Sequence, residues 1–253
     1  MKGIKQYMRD YSIELEKRVA YVKEILTASG AKGIVFGNSG GKDCALVGII
    51  CRKATENVVG VMLPCGVSRH YGKDADDAIE VADKFGIKTL TLDITEARTS
   101  ILANLEKIVE PTKDALTNIA PRLRMTSLYA VGASLGYLVA GTGNRSERTM
   151  GYFTKWGDGA YDLNPIYDLT VTEVYEFLEF LGAPEAIITK APSAALFDGQ
   201  TDEDDMGITY AAIDEYLLHG TGTEENIARI EKAIKSTTHK INPVRVYNPD
   251  GIR

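Results

Sequence analysis

Four short apolar runs, GIVFG (33–37), VVGVML (58–63), KTLTLD (88–93) and YLVAGT (137–142), alternate with stretches of helical periodicity, and no other property of the chain restricts its fold so strongly. The runs are rich in β-branched residues and show little polar–apolar alternation, the pattern of strands covered on both faces. Between them the spacing predicts helices over 43–54, 74–85 (closed by Gly86), 95–109 and 121–135. A β-α unit repeated four times predicts the α/β class, a parallel β-sheet flanked by helices on both faces. One more helix is expected ahead of it, over 4–29, where Ile4, Tyr7, Met8, Tyr11, Leu15, Val19, Val22, Ile25 and Leu26 form a stripe ended by Gly30. Such sheets bind ligands at the carboxyl ends of their strands, so the loops after residues 37, 63, 93 and 141 are where chemistry is expected.

Beyond residue 142 the pattern changes to a long loop rich in Gly, Tyr and Asp, then a helix from about 170 that Thr170 and Glu173 would open as a capping box. A second irregular stretch, TKAPSAALFDGQTDEDDMG (189–207), is acidic and reads as a lid; helices near 209–218 and 224–238 follow. No repeat, linker or low-complexity tract divides residues 1–253, so one domain is expected. A net charge of -6 disfavours broad attraction to nucleic acid or an anionic membrane, and a small-molecule substrate is the better expectation. No run reaches the roughly 18 to 20 apolar residues of a membrane span, and MKGIKQYMRDYSIELEKR carries charge where a signal peptide needs an apolar core. Cys44, Cys51 and Cys65 contain no CxxC pair, which argues against a disulfide framework or zinc site. A cytoplasmic location is therefore expected.

The corner GNSGGKDC (37–44) joins the first strand to a helix. Aligned as a Walker loop on Gly41-Lys42 it puts Phe36 and Asp43 where Gly and Ser or Thr are required, and it lacks the G-x-G-x-x-G of a dinucleotide fingerprint. Ser39, Gly40 and Gly41 nevertheless offer unobstructed backbone N–H groups at a helix N-terminus, an anion cradle. Asp43 would repel a phosphate there unless a cation stood between them, and Mg2+ is the economical choice. Diphosphate handling is the expectation.

SGGKDC resembles the SGGxDS loop of the ATP pyrophosphatases, which cleave ATP between its α and β phosphates to adenylate a substrate. LPCGVS, PRLRM, GTGNRSE, GYFTKWGDGAYDLNPI, KAPSAAL and THK follow in the order and approximate spacing of the ammonia-dependent NAD+ synthetases, over about residues 12 to 242. That resemblance implies a Rossmann-like ATP pyrophosphatase fold, with ATP, deamido-NAD and ammonia as substrates, Mg2+ as cofactor, and a homodimer built on the N-terminal and 105–135 helices. It implies that Gly37, Asn38, Ser39, Gly40, Gly41, Lys42, Asp43 and Cys44 hold the ATP phosphates, joined by Thr142 and Ser193. Asp43 and Glu147 would be the Mg2+ ligands and, with Lys42, the catalytic set. Arg122, Lys155, Asp162, His239 and Lys240 would take the deamido-NAD, whereas Arg124 has no counterpart.

Several positions depart from that pattern. Cys44 replaces a serine or threonine, Ser193 a threonine, and Val171 a lysine that commonly touches ATP, for which Lys190 is a candidate replacement. Met62 and Ser68 stand where relatives often carry Arg and Gln. A blander reading exists for each residue: Asp43 complements the helix dipole, Glu147 belongs to a solvated charge cluster with Arg145 and Arg148, Arg122 is a surface arginine, and His239-Lys240 compensates a helix end. Cys44 reads as a small buried side chain more readily than as a reactive thiolate. Two other classes carry the same loop: a tRNA-modifying adenylating enzyme, which would need a basic RNA-binding extension, and a non-catalytic nucleotide-binding protein.

Overall fold

The computed structural model describes residues 8–192, 201–244, 246 and 247. Strands β1 (Gly33–Gly37), β2 (Val58–Met62), β3 (Lys88–Thr91) and β4 (Tyr137–Ala140) form one all-parallel sheet in the order β3-β2-β1-β4. Val35 at the middle of β1 stands opposite Val59 on one side and Val139 on the other. The chain builds outward from β1 to β3 and then returns to lay β4 on the free side of β1. The strand order reverses there, leaving a crevice beyond the carboxyl ends of β1 and β4.

Both faces of the central strands are covered. Ile34 and Phe36 enter a core with Leu46, Ile49 and Ile50 of α2 (Lys42–Ala54), backed by Val22 of α1 (Tyr11–Ser29) and Phe177 of α7 (Val171–Phe180). Val35 and Val139 face the other way, onto Met125 and Leu128 of α5 (Lys113–Leu135). The edge strand differs from expectation. β3 has one neighbour, most of its residues are exposed, and α4 (Thr95–Leu105) buries no side chain over it.

Local chemistry moved several helix boundaries. Helix α1 starts at Tyr11 because the Asp10 carboxylate accepts the N–H groups of Ser12 and Ile13 at 3.1 and 3.2 Å; Met8 lies before that cap, and Ile4 and Tyr7 fall outside the described residues. Helix α3 (Lys73–Phe85) ends at Gly86 as expected, at φ 67°. Helix α4 stops at Leu105 instead of running to 109. Helix α5 begins at Lys113, capped by Thr112, and carries Pro121 inside it, so the proline did not mark its start. The predicted loop after 142 contains α6 (Arg145–Met150), a one-turn α8 (Glu185–Ile188) follows α7, and the acidic stretch contains α9 (Asp202–Met206), capped by Thr201. The capping box at Thr170 and Glu173 forms, with paired bonds of 2.8 and 3.3 Å.

A smaller core, the annex, joins Met150, Val171, Ile208, Tyr210, Ile213 and Ile230 where α6 and α7 meet α10 (Tyr210–His219) and α11 (Glu224–Ile241). A buried polar knot ties its elements together. Asp214 accepts from Ser146 Oγ at 2.5 Å and from the N and Oγ1 of Thr172, each at 2.7 Å; Ser146 Oγ in turn accepts from Val171 N at 3.2 Å.

Arg18 secures α1 to the segment leading into α7. It donates to Pro165 O and Asp168 Oδ1 at 2.6 Å each, to Asp168 Oδ2 at 3.0 Å and to Glu14 Oε2 at 2.9 Å. Burial opposes ionisation of Asp168, but the bonds and charge of Arg18 outweigh it and hold that carboxyl below its usual range. Arg18→Met should cost about 2 kcal/mol of stability, the half-exposed Asp168 limiting the loss. A depressed folded-state pKa contributes stability that is complete above the ordinary carboxylate value of about 3.9 and fades as pH falls through the folded value. Urea unfolding of the two proteins should therefore show a constant gap at neutral pH that narrows only below about pH 4.

Candidate active site

The crevice opens into a cleft of about 580 Å³. Its floor is the corner after β1. There Gly40 adopts φ 69°, and a Cβ on it would lie 2.1 Å from the Asp74 carbonyl, so α3 closes directly on the loop and only glycine fits. Asn38 reaches across to the Ala78 carbonyl at 3.2 Å. Cys44 does more than fill space: its Sγ accepts from Gly41 N at 3.3 Å, donates to Gly41 O at 3.1 Å and lies 3.4 Å from Ser39 Oγ. Sulfur thus replaces the capping hydroxyl with longer, weaker bonds. Cys51 is plain packing, its thiol pushed up to about 12 by burial.

Lys42 and Asp43 occupy the first turn of α2, where the helix N-terminus is positive. The Lys42 ammonium is buried, lies 2.8 Å from Asp43 Oδ2, and sits 5.9 and 5.6 Å from the ring centres of Tyr175 and Tyr210. Burial works against its charge, but Asp43 and Glu147 prevail and hold its pKa above the usual lysine value, so it stays protonated.

Asn144 couples Asp43 to the far wall. Its Nδ2 donates to Asp43 Oδ1 at 3.0 Å; its Oδ1 accepts from Glu147 N and its own N–H donates to Glu147 Oε2, both at 3.0 Å. This capping box opens α6 and turns Glu147 into the cleft. Burial first, and the Asp43 charge second, push the Glu147 carboxyl well above its ordinary range despite Lys42. Two half-buried carboxylates facing one cleft favour a cation between them. Among the described residues no group of three or more His, Cys, Asp or Glu side chains could hold a metal, so an ion at Asp43 and Glu147 would need oxygens from a ligand.

The cleft brings together Gly37, Asn38, Ser39, Gly41, Lys42, Asp43, Cys44, Thr142, Glu147 and Lys240. Thr142 follows Gly141, where a Cβ would strike Tyr161 at 2.3 Å. Lys240 is held by the carbonyls of Gly151 and Phe153 at 2.7 and 2.8 Å. The remaining expected residues lie elsewhere in the chain. Arg122 Nε points to Lys155 O at 3.3 Å, while Arg124 lines the cleft and donates to Leu63 O at 3.2 Å. Lys155 donates to His239 O at 2.7 Å, and both border a separate hollow. Asp162 accepts from Val139 N at 2.8 Å and Tyr129 Oη at 3.2 Å, beneath β4. Val171 faces the annex core. Ser193 lies outside the described residues.

Sequence reasoning missed Asn144, Tyr175, Tyr210 and Asp202, which accepts from Tyr210 Oη at 3.0 Å. For Asn144 a signal existed, since N-x-x-E within GTGNRSE is a capping-box spacing. The tyrosines arrive from two distant helices and carry none.

Asn144→Ala should cost about 1 kcal/mol through the lost cap, whereas Asn144→Ser keeps a capping oxygen but cannot reach Asp43. Thermal melts should place the serine variant near the parent, and nucleotide titrations should leave both variants impaired. A serine variant that binds nucleotide as the parent does would show that Asn144 only caps α6.

The profile of the NAD synthase family matches residues 14–245. An NH3-dependent NAD+ synthetase of Carboxydothermus hydrogenoformans is 46% identical over 228 residues, spanning 89% of this chain and 93% of that protein. Among solved structures, an NMN synthetase from Francisella tularensis superposes with a TM-score of 0.89 at 33% identity, covering 95% of this chain and 99% of its own. The NH3-dependent NAD synthetase of Campylobacter jejuni, in complex with the nitrate ion, gives 0.77 at 28% identity over 95% and 100%. With the cradle, the paired carboxylates and the strand order already in place, the chain belongs to the NAD synthase family.

Proposed function

We propose that the chain is an ammonia-dependent NAD+ synthetase: it transfers AMP from ATP to the nicotinate carboxylate of deamido-NAD, releasing diphosphate, and ammonia then displaces AMP. The observation that carries this reading is the meeting of Lys42, Asp43 and Glu147 over a phosphate-sized cradle in a chain of that family. The tRNA-modifying alternative is not favoured.

The first step joins a carboxylate to a polyphosphate, so mutual repulsion and a highly charged leaving group are the obstacles. The N–H groups of the corner, the positive end of α2 and the Lys42 ammonium are fixed before substrate arrives, and preorganised groups of this kind often supply several kcal/mol. Asp43 and Glu147 suit Mg2+, a hard ion that binds through one or two carboxylates and completes its shell with phosphate oxygens and water. Bound there, Mg2+ would neutralise charge on the departing diphosphate. The protein need form no covalent bond itself. Ring faces of Tyr175 and Tyr210 keep bulk water from Lys42 and strengthen its field.

Arg122, Lys155, Asp162 and His239 we assign to the dinucleotide in a homodimer, where a second copy would complete the site. Exposed Leu90, Ile101, Ile108 and Val109 support a face for that copy. Three free, buried thiols suit the cytoplasm, and among the described residues no helix is long and apolar enough to cross a membrane. Light scattering at micromolar concentration should return twice the 27.6 kDa chain mass; a monomer under turnover conditions would refute the shared site.

One observation favours a second reading. The Francisella neighbour is an NMN synthetase and superposes with the higher TM-score of the two quoted. The reacting carboxylate is the same on a mononucleotide, so the cradle serves either substrate. Purified protein with ATP, Mg2+ and ammonium should convert deamido-NAD to NAD+ with equimolar AMP, and glutamine should not replace ammonium. Asp43→Asn should lose at least about 100-fold in kcat. A kcat/KM higher for nicotinate mononucleotide than for deamido-NAD would establish the second reading.

A further inference from the structure

We propose that Lys190 is a positioning residue for the triphosphate: it fixes the peptide between Gly40 and Gly41 so that the Gly41 N–H faces ATP. The inference rests on the ATP-using reading above and adds a residue to that site.

Lys190 lies two residues after α8 (Glu185–Ile188), far along the chain from the corner, yet its nearly buried ammonium reaches the loop, and the residue lines the same cleft. Nζ donates to Gly40 O at 2.8 Å, to Asp77 Oδ2 at 2.6 Å and to Asp74 Oδ1 at 2.7 Å. These three bonds join the ammonium to the loop and to α3. A trans peptide holds its C=O and N–H in opposite directions. Drawing the Gly40 carbonyl toward α3 thus turns the Gly41 N–H the other way, toward Cys44 Sγ at 3.3 Å and the mouth of α2. Sulfur is a weak acceptor, so that N–H can be given up to a phosphate oxygen at little cost.

The ammonium has a second effect. Asp74 and Asp77 are buried one turn apart on α3, where Lys73 Nζ also lies 3.5 Å from Asp77 Oδ1, and loss of Lys190 would make this surrounding of the anion site more negative. Lys190 is anchored at its other end too, because its carbonyl accepts from Tyr175 Oη at 2.6 Å, and the Tyr175 ring faces Lys42. One residue therefore connects the cover of the phosphate lysine to the phosphate loop.

The test titrates full-length protein with a non-hydrolysable ATP analogue plus Mg2+, and separately with deamido-NAD, by calorimetry. Lys190→Met should weaken the analogue at least about tenfold and leave deamido-NAD within about twofold, while Lys190→Arg, which can still reach a carbonyl and two carboxylates, should recover most of the loss. Analogue affinity within about twofold of the parent, or an equal loss for both ligands, would overturn the proposal. Should Lys190→Met fold poorly, the triple variant Lys190→Met, Asp74→Asn, Asp77→Asn removes the stranded charges. The analogue should still bind weakly to it, and parental affinity would overturn the orienting role. Parent protein that binds the analogue but makes no NAD+ would refute the proposed reaction and leave the role of Lys190 standing.

Discussion

Asp43 and Glu147, carried by different helices, face one cleft and are each only partly exposed, and most of the site can be understood as the response to their repulsion. Lys42 balances one charge, Asn144 donates one hydrogen bond to each carboxylate, and burial with the Asp43 charge still pushes the Glu147 carboxyl well above its usual range. A folded protein keeps such an arrangement only when something outweighs the desolvation. Here the main core and the annex supply the support, each fixing one carboxylate, and a dication with a polyphosphate would relieve the remaining strain.

The fold was legible because its signals are local and repeated. Unalternating apolar runs found β1, β2 and β4, and glycine stops found the ends of α1 and α3. What periodicity could not show was where side-chain oxygens take over a backbone donor. Asp10 cut α1 short, and Thr112 opened α5 at Lys113, ahead of the expected start at 121. The edge strand β3 was misjudged in its covering, since an apolar run does not tell whether a neighbour lies on each side.

Within the site, legibility followed contiguity. The corner at 37–44 and the pair Thr142 and Glu147 were readable because each lies in one short motif. The tyrosines around Lys42 and the clamp at Lys190 depend on residues brought together from α2, α3, α7 and α10, and no spacing in the chain announces them. Cys44 is intermediate: its position in the motif was plain, but that a thiol would serve as hub for Gly41 needed coordinates.

The polar knot at Asp214 has a mechanical meaning. Because Ser146 is bonded to Asp214, and Glu147 is the next residue, the position of Glu147 depends on α10 as well as on the sheet and α7. The annex core is much the smaller of the two that support the cleft, and small cooperative units open at lower free energy than the whole. Warming that loosened only this unit would carry off Glu147 and Tyr210, while α7, whose Val174, Phe177 and Leu178 lie in the main core, stayed with the corner after β1. The protein would then keep its shape and its cradle but lose half of its charge balance, so durability of the activity is set by the lesser core.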